Sequence, residues 1–378
     1  MANQGRNDAF GDEYWLDLWR FTIMRKSFWD SMTVAVITLA LFLSFSPAGA
    51  CTRIFWNSNG QTMLVARTMD LLQDDAPSFY LFPKGMSKDG GVANPAKWTS
   101  RYGSLVTAAF GLSTYCSEGI NTQGLAYHYL YLAVTRYEDR DGRRPGVLEG
   151  RYGQYLLDNA ATVSEALQLM YQSQLVPEAA AGFNWPLHLA LEDAQGDSAV
   201  VEFVGGQMNV FHGKEFTVLS NDPTLDQQVQ NLGRYQYFGG TLPLPGDVDS
   251  ISRFVRAAAF RSTLDNPSLT RDPVSRLFSA IRPESKPFGA VMFSGGRSIP
   301  APQTLWTSLF DLTHKAVYFT HSMTRNNFWI DMSKLNFSAG APVLYLKADR
   351  PDLSGDVSGM FTPPPWKTDT TIFPLLWD

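Results

Sequence analysis

The 378-residue sequence lacks the usual markers of metal, nucleotide and nucleic-acid binding. It has only five histidines and two cysteines, with neither an H-E-x-x-H nor a C-x-x-C motif, so no metal site is predicted. No glycine-rich loop of the kind that cradles phosphates stands out. The formal net charge is -5 and no run of lysine or arginine is present, which gives no sign of a nucleic-acid partner. We therefore expect a protein that works without metal, cofactor or nucleic acid.

Apolar residues are plentiful, at 44% hydrophobic and 13% aromatic, which is enough for a substantial core. No internal repeat or long linker divides the chain, so residues 51–378 are predicted to form one domain, with a proline-rich extension from about residue 351. The two cysteines are Cys51 and Cys116. A chain of this size does not need a disulfide. If Cys51 is reactive, we expect Cys116 to be a lone, mostly buried thiol.

The first 50 residues have the features of a secretory signal peptide. The run from 34 to 45 is apolar and uncharged, and Ala48 and Ala50 form the A-x-A pattern that precedes a cleavage site. This run is shorter than a membrane-spanning helix, which favours cleavage over stable membrane insertion. Acidic residues near the amino terminus are unusual for a signal, and Met24 would be a more conventional start. We predict removal of residues 1–50 and a periplasmic or secreted protein.

Cleavage after Ala50 would make Cys51 the first residue of the mature chain. That residue would then carry a thiol, which is a nucleophile when ionised, and a free α-amine with an ordinary pKa of roughly 7.7–8. A nucleophile and its general base on one residue need no separate histidine. Two other interpretations stay open on the local sequence: Cys51 is a lipoprotein acylation site, or it is an incidental mature residue. Acylation would remove the base.

A β-hairpin is predicted directly after Cys51, because two β-prone runs flank Asn59-Gly60. Taking those two residues as the loop places Cys51 opposite Thr68. Asp70 then becomes a diagonal neighbour of Cys51 on the same face, and Arg67 lies one position away. The hairpin is therefore expected to bring a carboxylate and a guanidinium to the new amino terminus. An ordinary ion pair at the strand end is the alternative.

The rest of the chain predicts strands, two helical segments, and then strands, helices and strands again. Because hairpins dominate, an α+β fold with antiparallel sheets covered by helices is favoured over a parallel sheet. Thr162-Val-Ser-Glu165 is a capping-box signature for one helix. Ser250 is expected to cap a helix over 251–260, on which Arg253 lies away from the apolar stripe. Asn221 ends a predicted strand, where its amide is a good oxyanion donor.

Five separated motifs follow one another along the chain: Cys51-Thr-Arg, Arg67-Thr-Met-Asp70, Gly119-Ile-Asn-Thr-Gln-Gly-Leu125, Leu219-Ser-Asn-Asp-Pro-Thr224, and Leu244-Pro-Gly-Asp247 with Ser252-Arg-Phe254. In this order they resemble the choloylglycine hydrolase family, which contains bile salt hydrolases and penicillin V acylases. The resemblance runs from Cys51 to about Phe337. It implies a four-layer αββα fold of the N-terminal-nucleophile hydrolases, with two stacked antiparallel sheets between helical layers.

The resemblance also implies roles for particular residues. Cys51 matches the nucleophile, and its α-amine the base. Arg67 and Asp70 match the arginine and aspartate beside that amine. Arg253 matches the arginine that steadies the transition state and the charge network of the site.

Two further positions match the oxyanion hole. Asn221 matches the family's asparagine there, and Tyr131 aligns with a variable position whose backbone N–H is the expected donor. A tyrosine there is typical of penicillin V acylases. The export signal and Trp98-Thr-Ser-Arg-Tyr-Gly103 are similar to the Gram-negative branch, which is associated with penicillin V and long-chain N-acyl homoserine lactones. That branch often has tryptophan where this chain has Leu71.

The predicted function is hydrolysis of a linear amide by Cys51, acting on a small-molecule substrate. Within the family, a conjugated bile salt hydrolase is the alternative. Two other classes stay open: a lipid-anchored binding protein acylated at Cys51, and a papain-type hydrolase, for which the C-G-S-C-W signature is missing. Family members are often tetramers, so a homotetramer is a possible assembly that no residue pattern here tests.

Overall fold

A computed structural model describes residues 51–264, 272–294, 297–324 and 326–365. Two large sheets form its centre. One has seven strands in the order β16-β1-β2-β19-β20-β21-β23, and the other has eight in the order β15-β14-β13-β8-β7-β6-β3-β22. Neighbouring strands are antiparallel throughout the eight-stranded sheet, and only β21 and β23 run parallel in the other. The predicted antiparallel α+β architecture is confirmed.

The strands are β1 (Thr52–Trp56), β2 (Leu64–Leu71), β3 (Ser78–Phe82), β4 (Ser87–Asp89), β5 (Lys97–Thr99), β6 (Ser104–Ala108), β7 (Cys116–Asn121), β8 (Ala126–Tyr131), β9 (Gly146–Leu148), β10 (Gln174–Val176), β11 (Ala179–Ala180), β12 (Phe183–Asn184), β13 (Leu187–Glu192), β14 (Ser198–Val204), β15 (Gln207–His212), β16 (Val218–Ser220), β17 (Val291–Ser294), β18 (Arg297–Pro300), β19 (Gln303–Asp311), β20 (Ala316–His321), β21 (Asn327–Asp331), β22 (Leu344–Lys347) and β23 (Gly355–Asp356). The helices are α1 (Glu149–Asn159), α2 (Val163–Gln172), α3 (Leu225–Leu232), α4 (Ser250–Ser262) and α5 (Pro273–Ile281).

The two sheets stack face to face between helical layers. Helices α4 and α5 pack on β1, β2, β16 and β19 of the seven-stranded sheet, whereas α1 packs on β6, β7 and β8 of the other. Between the sheets, the rings of Phe79 and Phe319 meet edge to face with centroids 5.2 Å apart. Central strands such as β1, β2, β7 and β8 are buried along their whole length because both of their faces are covered. This is the four-layer order that the resemblance implied.

The register of the first hairpin differs from the prediction by one residue. Thr52 lies opposite Thr68, and pairing stops at Trp56 and Leu64. The loop is wider than Asn59-Gly60 because the Asn59 side chain closes it, accepting hydrogen bonds from the backbone N–H groups of Gln61 and Thr62 at 2.8 Å each. A one-residue slip exchanges the two faces of a strand. Here it gives Cys51 a different same-face neighbour from the one predicted.

Helix α4 also departs from the prediction. Its N-cap is Asp249 rather than Ser250, with the Asp249 carboxylate accepting the Ser252 backbone N–H at 2.9 Å. Ile251, expected in the apolar stripe, is 42% exposed, whereas Arg253 is fully buried. The helix can present this charged residue to the sheet because the Asp70 carboxylate of β2 pairs with it there. By contrast, the capping box is confirmed: the Thr162 hydroxyl accepts the backbone N–H of Glu165 at 3.2 Å.

Three other predictions concern the ends of the chain and the thiols. The predicted signal peptide lies outside the described residues. The proline-rich extension contributes β23 and a buried Val357 before it leaves the described part at residue 365. Cys116 is free and buried, as expected for a lone thiol. Among the helices in the described ranges, none has the length and apolar character needed to cross a membrane.

Candidate active site

Cys51 directly precedes β1 and is 3% exposed. Strand β1 pairs with β16 so that Thr52 lies opposite Ser220. The next residue along β16, Asn221, is therefore brought beside Cys51, and its side-chain Oδ1 accepts a hydrogen bond from the Cys51 backbone nitrogen. The sheet pairing thus places the two motif residues, 170 positions apart in sequence, in direct contact.

Arg67 is the cation nearest to the thiol. Its Nη2 lies 3.4 Å from the Cys51 Sγ and donates to the backbone oxygen of Tyr129 at 2.7 Å. Its Nη1 lies 3.3 Å from a carboxylate oxygen of Glu118, and the guanidinium stands over the Trp306 ring. Burial opposes the charge of Arg67, but the charges of Cys51 and Glu118 outweigh it and hold the arginine pKa above its usual value. A permanent cation in this position favours a thiolate.

Asp70 lies on the opposite face of β2, which corrects the prediction that it is a same-face neighbour of Cys51. One carboxylate oxygen accepts from Arg253 Nη1 at 3.0 Å and the other accepts the Thr304 hydroxyl at 2.6 Å. Arg253 also donates to the Thr52 hydroxyl at 2.5 Å. Hydrogen bonds among the described residues connect Asp70 to the Cys51 region through Arg253 and Thr52. Burial raises the pKa of Asp70, and the charges of Arg253 and Lys286 oppose that rise.

Lys286 is a site residue that no sequence motif indicated. Its backbone pairs with Thr304, since Lys286 N–H donates to the threonine hydroxyl at 2.8 Å and Thr304 N–H donates back at 3.1 Å. The side chain is 3% exposed, and its Nζ has no hydrogen-bond partner among the described residues. Burial lowers the pKa of Lys286 to about 8; the charge of Arg253 lowers it too, while those of Asp70 and Cys51 oppose. The site therefore contains a third cation beside its two arginines.

A pocket of about 450 Å³, part of which is open solvent, lies beside the thiol. Cys51 and Arg67 lie in its wall, and Tyr131, the last residue of β8, lines it as well. The remaining wall is almost wholly apolar or aromatic: Met69, Leu71, Ala109, Phe110, Tyr115, Ser117, Tyr129, Trp185 and Leu187. Such a wall suits an apolar group and offers few polar partners.

One wall of this pocket is held by an unusual backbone conformation. Phe110 has a φ of +59°, a region that bulky side chains rarely adopt. Its ring stacks on Trp185, with centroids 5.4 Å apart and planes 22° apart. The strained residue thus presents a flat aromatic surface to the cavity, and such strain is typical of ligand-binding sites.

Two stacked sheets between helices, with a buried thiol at the start of a central strand, define the architecture of the N-terminal-nucleophile hydrolases. Comparison with known proteins agrees. The model of the linear amide C–N hydrolases, choloylglycine hydrolase family, matches residues 51–353, and the chain belongs to that family. It is therefore an amide hydrolase.

Relatives of two kinds are found. A penicillin V acylase from Pectobacterium atrosepticum is 31% identical over 362 residues, covering 88% of this chain and 95% of the relative. A bile salt hydrolase/transferase from Clostridium perfringens is 26% identical over 249 residues, covering 57% and 72%.

Solved structures give the same result. A penicillin V acylase from Agrobacterium tumefaciens has a TM-score of 0.73 at 32% identity, covering 83% of this chain and 97% of that one. A mutant conjugated bile acid hydrolase from Clostridium perfringens has a TM-score of 0.68 at 22% identity, covering 80% and 98%, and supports the fold alone.

Proposed function

We propose that signal cleavage after Ala50 leaves Cys51 as an amino-terminal nucleophile that hydrolyses linear amides with an apolar, aryl-containing acyl group, as in penicillin V. The single observation that carries the proposal is the cluster at the pocket mouth, where the Cys51 thiol meets Arg67 and its backbone nitrogen meets Asn221. The family match begins at Cys51, which supports the same mature start. We infer a periplasmic or secreted location from the signal sequence.

In the proposed reaction, the Cys51 thiolate attacks the amide carbonyl and forms a C–S bond, which gives a tetrahedral oxyanion. Asn221 and the backbone N–H near Tyr131 stabilise that oxyanion. As the C–N bond breaks, the α-ammonium of Cys51 gives its proton to the leaving amine. The freed α-amine then takes a proton from water, whose oxygen attacks the thioester, and the thiolate leaves. Arg67 keeps the sulfur ionised in both half-reactions.

The pocket supports the choice of acyl group. Its walls are apolar or aromatic, and Phe110 and Trp185 form a stacked pair that a phenoxy ring can join. The 31% identical relative named penicillin V acylase supports the same substrate. A long-chain N-acyl homoserine lactone also carries an apolar acyl group, and a conjugated bile salt carries a larger, rigid one. Rates with penicillin V, a long-chain N-acyl homoserine lactone and glycocholate therefore decide between them, and we expect penicillin V to have the highest kcat/KM.

The nucleophile is tested by comparing the two cysteines. We expect Cys51→Ala to abolish amidase activity and Cys116→Ala to keep it, because burial raises the pKa of Cys116 to about 12 and leaves that thiol protonated. One equivalent of iodoacetamide should inactivate the enzyme and label only the Cys51 peptide in mass spectrometry. Wild-type activity in Cys51→Ala would falsify the mechanism.

The base is tested at the amino terminus of the exported protein. Mass spectrometry should find Cys51 as the first residue with a free amine. Residues retained before Cys51, or an acyl group on its nitrogen, would remove the base and point to a lipid-anchored protein instead. Asn221→Ala should fold and lose about 10²–10³-fold in kcat. Light scattering of the mature protein tests the homotetramer that the resemblance implies.

A further inference from the structure

A buried chain of charges extends behind Arg67, through the space between the two sheets. Arg67 on β2 contacts Glu118 on β7 at 3.3 Å, and Glu118 contacts the Nδ1 of His128 on β8 at 3.0 Å. The Nε2 of His128 lies 2.6 Å from Glu192 on β13, and Glu192 pairs with Arg53 on β1. All five charged side chains of this network are buried to 99% or more. Glu118, His128 and Glu192 belong to none of the motifs identified in the sequence.

The position of His128 between two carboxylates determines its protonation. A neutral imidazole has one N–H donor and one lone pair, so one of its nitrogens would face a carboxylate lone pair to lone pair. With both carboxyls ionised, only the imidazolium presents a proton to each of them. Burial opposes this charge, but Glu192 and Glu118 outweigh it and raise the pKa of His128, while the pKa values of both carboxyls are lowered. The Nε2 contact is an ion pair rather than an aligned hydrogen bond.

The described side chains that contact His128 include two carboxylates and one aromatic ring. The other group that packs on its ring is Phe310, with centroids 5.2 Å apart. The remaining contacts of Glu118 are the hydroxyls of Ser308 at 3.1 Å and Thr107 at 3.3 Å. The charges facing the imidazolium from the packed strands are therefore those of the two carboxylates and, behind them, the two arginines.

The sum of these charges depends on one proton. With His128 protonated, the three cations Arg53, Arg67 and His128 exceed the two anions Glu118 and Glu192 by one. Without that proton the four remaining charges cancel. The excess positive charge faces the Cys51 sulfur through Arg67, which is 3.4 Å from it.

We propose that His128 is a positioning residue for the thiolate of Cys51: as an imidazolium it holds Glu118, which orients Arg67 on the sulfur, and it supplies the positive charge that the thiolate balances. This inference rests on the proposed function, because it assumes that Cys51 reacts as a thiolate. His128 itself touches no substrate atom. Its effect passes through Glu118 and Arg67.

The test measures the ionisation of Cys51 in the mature protein. In His128→Gln, the pH midpoint of iodoacetamide alkylation at Cys51 should rise by roughly one pH unit, since one unit charge is lost across a buried network. Near neutral pH, kcat should fall while KM changes little. Cys116 does not interfere, because its raised pKa keeps it protonated over the range used.

The matched control is His188→Gln. His188 is also buried on the eight-stranded sheet, but its described carboxylate partner is Glu202 alone, at 3.3 Å. This variant should destabilise the protein without moving the alkylation midpoint. A midpoint that rises equally in both variants would mean that the shift reports loosened packing, and the inference would fall.

A double variant that restores the net charge separates an electrostatic effect from a structural one. It also gives a result if His128→Gln alone folds poorly. In His128→Gln with Glu192→Gln, the two arginines exceed Glu118 by one charge again, so the midpoint should return towards the wild-type value. An unchanged midpoint in His128→Gln, or no return in the double variant, overturns the proposal. So does a ¹⁵N spectrum showing neutral His128 at pH 7. Failure of the proposed function would look different. In that case the wild-type enzyme would keep its activity after Cys51 had been alkylated.

Discussion

The buried pair Asp70–Arg253 allows an asymmetric prediction. Both side chains are fully buried and 3.0 Å apart, and Lys286 lies close enough to act on the charge of Asp70. In Arg253→Met, Asp70 keeps Lys286 as a counter-charge and Thr304 as a donor. In Asp70→Asn, two buried cations lose their shared anion, and the new amide N–H₂ faces the guanidinium. Asp70→Asn should therefore be the more destabilising change.

The magnitudes follow from the same contacts. Removing one partner of a buried ion pair typically costs about 3–5 kcal/mol. For Asp70→Asn we expect about 3–4 kcal/mol, because Lys286 can lose its proton and limit the cost. For Arg253→Met we expect about 1–2 kcal/mol, since Lys286 takes over as the partner of Asp70. The double variant should cost less than the sum, because neither charge is left alone.

Urea denaturation of the mature protein at pH 7, followed by circular dichroism, measures these free energies of unfolding. Equal m-values would show that the compared states expose similar surface. The reasoning is refuted if Arg253→Met loses as much stability as Asp70→Asn. It is refuted equally if adding Lys286→Met to Arg253→Met causes no further loss, because Lys286 would then not be compensating.

Three further predictions concern single residues. Burial lowers the pKa of Lys286 to about 8, so between about pH 8 and its usual 10.5 the unfolded chain binds more protons and stability rises with pH. The free energy of unfolding of Lys286→Met should exceed that of wild type by roughly 3 kcal/mol at pH 7, and this advantage should be lost by pH 10. A difference that stays constant with pH in urea titrations would contradict this. An added Cβ at Gly153 would lie 2.0 Å from the Tyr127 ring, so Gly153→Ala should lower the free energy of unfolding by at least about 2 kcal/mol. Gly246 has open space around it, so Gly246→Ala should change that free energy by no more than about 0.5 kcal/mol. Similar thermal midpoints for the two variants would count against the packing of α1. Leu71→Trp should change KM for penicillin V with kcat little changed, because Leu71 lines the pocket beside the thiol. Unchanged steady-state kinetics would exclude a role of Leu71 in binding the acyl group.

Much of the fold was accessible from the sequence because the information is local. The predominance of hairpins predicted antiparallel sheets, and both large sheets are antiparallel except for the pairing of β21 with β23. The Thr162 capping box predicted the start of α2 correctly, since its hydrogen bonds join residues three positions apart. The order of five short motifs identified the family.

The hairpin shows where local information ended. Asn59-Gly60 indicated a two-residue loop, but the Asn59 side chain bonds to Gln61 and Thr62 and closes a wider one. The register of a buried hairpin is set by the turn and by which face of each strand meets the layers above and below the sheet. The prediction therefore had the right strands but exchanged the faces.

The positions of Arg67 and Asp70 in the site depend on which face of β2 each side chain occupies. With Thr52 opposite Thr68, Arg67 points towards the thiol and Asp70 towards α4, where Arg253 meets it. On the helix alone, Arg253 lay outside the apolar stripe, and only the family motif marked it. Its burial follows from the carboxylate on the facing strand, which no helical periodicity contains.

The sequence by itself indicated the candidate residues for the chemistry: a cysteine behind a predicted leader, an asparagine at a strand end, and the motif arginines and aspartate. Tertiary structure alone decided which of them touch. It brought Lys286 beside Thr304 and placed His128 between two carboxylates of different strands. The physical reason is that the charge state of a buried side chain depends on the groups that exclude water from it and on the charges beside it. Both come from segments far away along the chain.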